Sequence, residues 1–215
     1  MNSIQNTIEQ EKIIVIVRGI PYEKLLPLCQ AMYDGGIRLL EITYSADGKI
    51  SDEETAMYIR KLSEEFRGRM YIGAGTVLTK KQVELTWKAG GSFIISPDTN
   101  PEIIKKTKEF GMISIPGAFT PTEIQLAHRS GADFVKLFPV TSLGAEYVKA
   151  VTAPLSHIKL LAVGGITEAN IADYLNVGVA GFGISSNIID KKAVADNDFH
   201  RITELANKYV SAVRG

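Results

Sequence analysis

Short apolar runs recur along this chain at a nearly constant interval, and this repeat restricts the possible folds more than any other feature. The intervals between successive starts are 25, 33, 21, 21, 21, 25 and 22 residues. Each interval has room for one strand, one helix and two loops. The eight runs are 13–17, 38–43, 71–77, 92–97, 113–117, 134–139, 159–165 and 181–185.

The segments between these runs carry helix signals. Residues that favour helix starts precede amphipathic stretches at Thr79, Asn100, Thr120 and Thr167. Glycines follow most of the same stretches, as expected at helix ends. Parallel strands need crossover connections of this length. Eight such units in 215 residues predict an α/β fold, a single-domain (β/α)8 TIM barrel covering residues 1–215 with a short N-terminal helix. A doubly wound sheet would need fewer strands or a longer chain.

Composition excludes several classes of partner. Lys and Arg together number 24, and so do Asp and Glu, so no net charge attracts a nucleic acid or an anionic membrane. The single cysteine, Cys29, allows no internal disulfide and no cysteine-rich metal site. The polar N-terminus lacks the apolar stretch of a signal peptide, and no run reaches the length of a membrane span. These features predict a cytoplasmic protein that binds neither nucleic acid nor membrane.

The sixth run contains a lysine at a position that should be buried. Strand alternation places Phe134, Lys136 and Phe138 on one face and Val135 and Leu137 on the other. Both faces of a barrel strand are covered, and burial lowers the pKa of a lysine. A neutral amine attacks a ketone and forms a Schiff base. The alternative is a lysine that extends to the barrel rim or pairs with a carboxylate.

The second run repeats this pattern with a carboxylate. Glu41 shares a face with Leu39 and Thr43, which directs it into the same barrel mouth as Lys136. A partly desolvated glutamate has a pKa closer to neutrality, where general acid–base catalysis is efficient. The alternative is a structural ion pair between Lys136 and Glu41.

Other runs end in groups that suit anion binding. Arg18 follows the first run and can bind a carboxylate or phosphate, or form a salt bridge at the rim. Thr76 follows two glycines of the third run and offers a hydroxyl. The seventh and eighth runs end at Gly164, Gly165 and Ser185, where many barrels bind phosphate. No pair of histidines has metal-ligand spacing, so the sequence predicts no metal site.

The order of motifs along nearly the whole chain resembles one family of enzymes. These are the class I aldolases that act on 2-keto-3-deoxy-6-phosphogluconate (KDPG) and 4-hydroxy-2-oxoglutarate (KHG). No single motif is diagnostic, but the set in this order is specific. The motifs are Leu-Glu-Ile-Thr at 40–43, Gly-Ala-Gly-Thr-Val-Leu at 73–78, Ile-Ser-Pro at 95–97, Pro-Gly at 116–117, Thr-Pro-Thr-Glu at 120–123, Val-Lys-Leu-Phe-Pro at 135–139 and Gly-Gly-Ile at 164–166.

The resemblance implies a set of roles. Lys136 matches the Schiff-base lysine of the family, and Glu41 matches its general acid–base. It further implies cleavage of a phosphorylated keto acid without metal or cofactor, by a cytoplasmic homotrimer. The implied substrate-binding residues are Arg18 and Thr76 near the pyruvate moiety, Pro97 in the Ile-Ser-Pro motif, and Gly164, Gly165 and Ser185 at the phosphate end.

Two departures from the family pattern bear on the substrate. Many gluconate-type members have an arginine where this chain has Ser45, so one anion ligand is missing or is supplied by Arg18 or Lys49. Val163 stands where those members often have threonine. Both the region around Arg18 and the seventh run are similar to the 6-phosphogalactonate branch. The preferred epimer at C4, and the use of unphosphorylated substrates, remain open from sequence.

Two other functions fit the same residues. In a sugar-phosphate isomerase or epimerase, Glu41 would abstract a proton and Lys136 would act only as an electrostatic electrophile. In a non-catalytic barrel, the same groups would bind a small anion without turnover. Trapping a pyruvate adduct on Lys136 with borohydride separates the aldolase from both.

Overall fold

The computed structural model describes residues 3–214, so the ends of the predicted domain, Met1, Asn2 and Gly215, lie outside the described residues. Within that range one sheet of parallel strands forms, in the spatial order β5-β4-β3-β2-β1-β9-β8-β7-β6. Its strands are β1 (Ile13–Val17), β2 (Leu39–Thr43), β3 (Tyr71–Gly75), β4 (Phe93–Ile95), β5 (Ile113–Ile115), β6 (Gly117–Ala118), β7 (Val135–Leu137), β8 (Leu160–Val163) and β9 (Gly181–Ile184).

The two ends of this sheet meet at Pro116. The fifth predicted run appears as two short strands, because proline has no N–H to donate to a neighbouring strand. β5 pairs with β4, and β6 pairs with β7. Across the junction, the Lys136 amide donates to the Pro116 carbonyl at 2.8 Å, and the Asp133 amide donates to Ser114 O at 3.0 Å. The predicted (β/α)8 barrel is therefore confirmed, and the doubly wound alternative is wrong.

Helices follow the strands as the sequence predicts, except at one start. They are α1 (Ser3–Glu11), α2 (Tyr22–Asp34), α3 (Asp52–Glu65), α4 (Lys80–Lys88), α5 (Pro101–Glu109), α6 (Pro121–Arg129), α7 (Gly144–Thr152), α8 (Ile171–Asn176), α9 (Lys191–Ala195) and α10 (Phe199–Arg214). Thr79, Asn100 and Thr120 each cap a helix through the side chain. The predicted start at Thr167 is wrong. Its amide donates to Asn170 Oδ1 at 2.8 Å and opens a turn, so α8 begins four residues later.

Most strands are shorter than the predicted runs. The last residues of several runs leave the sheet and form the loops at its carboxyl end; Pro97 and Pro139 both lie in such loops. A proline at either position cannot donate to the ladder, which favours the end of the strand. The polar residues singled out at the ends of the runs therefore lie on loops over the barrel, rather than inside it.

The barrel interior is sealed at its amino end. Ile4 and Ile8 of α1 are buried in one cluster with residues from the beginnings of the strands. Phe134 belongs to this inner cluster, whereas Val135 and Leu137 belong to the layer between the sheet and the helices, which confirms the predicted alternation. Access to the interior is left at the carboxyl ends of the strands. No helix within residues 3–214 is both long and apolar enough to cross a bilayer.

Candidate active site

Lys136 lies on β7 and points into the barrel. It lies next to the buried apolar cluster at the amino end of the barrel, which we call the floor. Its neighbours in register are Gly117 and Leu161, and the residue is 8% exposed. Nζ lies 4.9 Å from the centre of the Phe138 ring. Burial is the main cause that lowers the pKa of Lys136; the charge of Glu41 opposes this change, and the positive charge of Arg18 adds to it. This arrangement favours the neutral amine, which is the nucleophilic form.

Glu41 lies on β2, and its side chain is almost fully enclosed at 1% exposed. Burial raises the pKa of Glu41, and the charges of Lys136 and Arg18 only partly oppose this rise. Oε2 has no hydrogen-bond partner. A buried carboxyl group without donors is held in the protonated form more readily than an exposed one.

Lys136 and Glu41 interact electrostatically but do not form the ion pair considered as an alternative. Among the ion pairs found within residues 3–214, none joins these two side chains at 4 Å or less. Burial moves the pKa of the lysine down and that of the glutamate up. Both shifts favour an uncharged amine beside an uncharged acid, and this state is suited to a nucleophile and a proton donor.

A cavity of about 640 Å³ opens above these groups at the carboxyl end of the barrel. Its volume is typical of a small-molecule site. Glu41 is absent from the lining and lies beneath it. Two cavities of about 600 and 610 Å³ lie between outer helices, and their described linings contain no buried lysine or carboxylate. The mouth cavity brings together the predicted residues Arg18, Thr76, Pro97, Lys136, Gly164, Gly165 and Ser185.

Arg18 and Thr76 meet at one side of the cavity. Arg18 Nη2 donates to Thr76 Oγ1 at 3.2 Å. Thr76 has a positive φ of 56°, which is uncommon for a threonine and places its side chain at the end of β3. Arg18 forms no salt bridge within the described part of the chain, so the rim ion pair considered from sequence is not formed. Its remaining donors are available to an anion.

The opposite side of the cavity is formed by the loops after β8 and β9. Gly164 and Gly165 have φ values of 98° and 71°, and a Cβ at Gly165 would lie 2.9 Å from Thr141 Oγ1. Only glycine fits there without strain. Ser185 Oγ donates to Ile16 O at 2.8 Å, so its hydroxyl proton is already engaged within the protein.

Several residues of the cavity wall were not predicted from the sequence, among them Leu78, Phe138 and Asn187. Leu78 and Phe138 line it although both are large, apolar and substantially exposed. Asn187 also lines it, and its side-chain amide donates to Ile166 O at 2.7 Å. Each follows the carboxyl end of a strand by a few residues, and this position was the only signal available for them.

A second cavity of about 530 Å³ adjoins the first and shares Arg18 and Thr76 with it. It surrounds Ser45, where the family resemblance implies an arginine in many gluconate-type members. Ser45 Oγ donates to Asp47 Oδ1 at 2.5 Å, and Lys49 Nζ lies 2.8 Å from Asp47 Oδ2. Lys49 is 82% exposed and paired, so Arg18 is the better placed cation to replace the missing arginine.

Comparison with curated proteins identifies close relatives over most of the chain. A probable 2-dehydro-3-deoxy-6-phosphogalactonate aldolase of Rhizobium meliloti is 34% identical over 83% of this chain and 82% of its own length. The 2-dehydro-3-deoxy-6-phosphogalactonate aldolase of Escherichia coli is 32% identical over 94% of both chains. The 2-dehydro-3-deoxy-phosphogluconate aldolase of Haemophilus influenzae is 30% identical over 94% of this chain and 93% of its own.

Solved structures agree. A native KDPGal structure superimposes with a TM-score of 0.85 at 32% identity over 95% of both chains. A KDPG aldolase of Legionella pneumophila, with pyruvate captured as a covalent carbinolamine, gives 0.83 at 28% identity over 94% of this chain and 96% of that one. A designed protein cage made by fusing symmetric oligomeric domains gives 0.85 at 32% identity over 95% of this chain and 73% of that one.

The family model described as KDPG and KHG aldolase matches residues 4–205, which confirms the resemblance drawn from the motifs. The match spans all nine strands of the barrel and every residue of the mouth described above. This chain belongs to the KDPG and KHG aldolase family.

Proposed function

We propose that this protein is a class I aldolase that cleaves a phosphorylated 2-keto-3-deoxy sugar acid to pyruvate and glyceraldehyde 3-phosphate. The observation that carries the proposal is the buried amine of Lys136, which lines the mouth cavity and interacts electrostatically with the enclosed carboxyl group of Glu41. The covalent pyruvate intermediate of the Legionella relative supports the same chemistry.

Lys136 starts the reaction as a nucleophile. Neutral Nζ attacks the C2 ketone of the substrate and forms a carbinolamine, whose hydroxyl takes up a proton from solvent and leaves as water to give a protonated Schiff base. Burial supports this step because it lowers the pKa of Lys136 and raises the fraction of uncharged amine at neutral pH. The positively charged imine then withdraws the electron pair of the C3–C4 bond, which a ketone does far less well.

Glu41 moves the protons. The positive charge of the imine lowers the pKa of Glu41, which releases its proton to solvent. As the carboxylate, it then accepts the proton of the C4 hydroxyl while the C3–C4 bond breaks, which releases the aldehyde and leaves an enamine on Lys136. As its acid, it returns that proton to C3 of the enamine. Water then hydrolyses the imine and frees pyruvate and the lysine. A carboxyl group with a pKa raised by burial suits both directions of transfer.

Binding of the two ends of the substrate follows from the two sides of the cavity. Arg18 and Thr76 hold the carboxylate, since a guanidinium binds it with two parallel hydrogen bonds. The backbone amides of Gly164 and Gly165 hold the phosphate at the far end, where Ser185 also lines the cavity. Pro97 closes the wall between them.

Borohydride reduction with pyruvate tests the mechanism. The wild-type protein is expected to gain one reduced pyruvate on Lys136, detected by mass spectrometry of the peptide, and to lose activity. Lys136→Met should fold, form no adduct and be inactive. Lys149→Met, which removes an exposed lysine of α7, is the matched control and should behave like the wild type. A wild-type protein without adduct would contradict the proposal.

The isomerase or epimerase alternative finds no support, because the relatives at 30% identity or more bear aldolase names. The relatives include both galactonate-type and gluconate-type enzymes. Measuring pyruvate release from the two phosphorylated epimers, and from 4-hydroxy-2-oxoglutarate, assigns the substrate. An anion-binding barrel without turnover predicts no release from any of the three.

Residues 1–215 are further proposed to act as one barrel domain that assembles as a cytoplasmic homotrimer. The structural relative built from symmetric oligomeric domains supports assembly. Light scattering after size exclusion should give three times the chain mass of 23.5 kDa. A mass equal to a single chain would contradict the trimer without affecting the proposed chemistry.

A further inference from the structure

We propose that Gly75 is a positioning residue for Glu41: its missing side chain makes the space that holds the carboxyl group in place. A Cβ atom at Gly75 would lie 1.6 Å from Oε1 of Glu41 and 2.2 Å from Cδ. No side chain, not even that of alanine, fits beside Glu41 in its present conformation. The role of Gly75 in catalysis rests on the aldolase function proposed above.

Strand register explains why these two residues compete for one space. Glu41 of β2 is paired with Gly73 of β3, and Gly75 follows two residues later. Residues two apart on a strand share a face, so Gly75 is the diagonal neighbour of Glu41 inside the barrel. The Glu41 side chain extends along its strand toward the mouth and occupies the position of the absent side chain.

The space at the other inward glycine of β3 is already filled. A Cβ at Gly73 would lie 2.3 Å from Cδ2 of Phe93, whose ring is fully buried in the floor of the barrel. The two glycines therefore have different occupants, one apolar and one acidic. Gly73 makes room for the floor, and Gly75 makes room for the proton-transfer group directly above it.

Packing contributes to the orientation of this carboxyl group. Oε2 of Glu41 has no hydrogen-bond partner, although a catalytic carboxyl is commonly oriented by donors around it. The shape of its surroundings therefore restrains this oxygen, and Gly75 supplies the part of that shape nearest Oε1. A methyl group at this position would push the carboxyl away from the reacting atoms while Lys136 stays in place on β7.

Gly75→Ala separates this role from a general defect of the barrel. Formation of the pyruvate Schiff base, measured by borohydride trapping, needs Lys136 and should stay within about threefold of wild type. Exchange of the pyruvate methyl protons with deuterated water needs the acid–base group and should fall by about 100-fold or more. Gly73→Ala is the matched control, since its clash falls on Phe93, and it should retain most of the exchange rate per folded molecule.

A shorter carboxyl side chain provides the rescue. Glu41→Asp removes Oε1 and Cδ, the two atoms closest to the new methyl group, and leaves Cγ at 2.6 Å, so Gly75→Ala should cost less in the Glu41→Asp background than in the wild type. This comparison also serves if Gly75→Ala alone folds poorly, because the double variant lessens the clash. Equal costs of Gly75→Ala in the two backgrounds would overturn the positioning role.

The same measurements distinguish two kinds of failure. A wild-type protein that is neither trapped nor active in exchange refutes the aldolase function itself. A wild-type protein that does both, with a Gly75→Ala variant that exchanges as fast, refutes only the role of Gly75. Equal loss of exchange in Gly73→Ala and Gly75→Ala refutes it as well, because the effect would then come from strain in β3.

Discussion

The two halves of the barrel interior are built from the same strands but have opposite character. At the amino end, Leu39 of β2 and Phe134, just before β7, belong to an apolar cluster closed by α1. Two residues further along, the same face carries Glu41 and Lys136, both buried and neither in a direct ion pair. One half is packed like a protein core, and the other keeps two ionisable groups away from water.

The difference shows that the two ends of one barrel have different roles, stability at the amino end and chemistry at the carboxyl end. Burial of apolar side chains stabilises the fold, whereas burial of an amine and a carboxyl group costs free energy unless their charge is lost. The pKa shifts of Lys136 and Glu41 express that cost. Substitutions at the carboxyl end of the barrel interior, the upper half, should therefore reduce catalysis and leave stability unchanged or improved. Substitutions at the amino end, the lower half, should reduce stability and leave catalysis unchanged.

Among these substitutions, Glu41→Gln should reduce catalysis the most while leaving the stability of the fold intact. The amide keeps the shape of the side chain but cannot take up or return a proton, so pyruvate release should fall by about 10²- to 10⁴-fold. Borohydride trapping of pyruvate on Lys136 should persist. Steady-state kinetics and mass spectrometry check the two halves of this expectation; loss of trapping as well would place Glu41 in Schiff-base formation instead.

Phe134→Ala tests the lower half. The ring is fully buried in the floor, and its removal leaves a cavity, so the free energy of unfolding should fall by about 3–5 kcal/mol. Activity per folded molecule should stay close to wild type at low temperature. Urea unfolding and kinetics on the same preparation measure both values. A variant that is stable but inactive would contradict the division between floor and mouth.

Lys136→Met tests the cost of burying the amine. Burial lowers the pKa of Lys136 in the folded protein, so the unfolded chain binds more protons between that lowered value and the ordinary lysine value. The wild type therefore gains stability as pH rises through this window. Lys136→Met lacks this titration and should be more stable than wild type below the window, by about 1–4 kcal/mol, as for other buried charges replaced by apolar residues.

The measurement is urea unfolding of both proteins between about pH 6 and pH 10. The stability advantage of the methionine variant should shrink steadily as the pH approaches the ordinary lysine value. A difference that stays constant across this range would mean that Lys136 is charged in the folded protein, and the proposed neutral nucleophile would lose its basis.

The smallest effects should distinguish the two cations near Ser45. Arg18→Met should weaken capture of the substrate carboxylate and raise KM by about tenfold, because a charged hydrogen bond contributes about 1.5–3 kcal/mol. Lys49→Met should change KM less than threefold, since its ammonium is exposed and already bound to Asp47. If Lys49→Met has the larger effect in steady-state kinetics, Lys49 is the replacement for the family arginine.

Local pattern was sufficient for most of the fold. The spacing of apolar runs identified the barrel, and strand alternation correctly directed Lys136 and Glu41 inward, because the side-chain period of a strand does not depend on distant contacts. Three of the four predicted helix starts were correct, because a capping side chain also acts on residues close to it in the chain. Thr167 failed because its amide donates to the Asn170 side chain and opens a turn, so the helix begins only after Asn170.

Contacts between distant residues were beyond such patterns. The exposure of Leu78 and Phe138 could not be predicted from the sequence, since a large apolar residue is normally expected in the core. The hydroxyl of Ser185 bonds to Ile16 O, 169 residues away along the chain. Such a partner is known only when β1 and β9 lie side by side.

The sequence by itself determined the repeating units, the inward face of each strand and the edge at which the polar residues gather, because these depend on short-range periodicity and chain direction. Only the tertiary structure decided that Lys136 and Glu41 stay unpaired and that the Glu41 carboxyl occupies the space beside Gly75. Both features depend on how neighbouring strands are registered and packed, and the physical reason is steric: two side chains cannot share one volume.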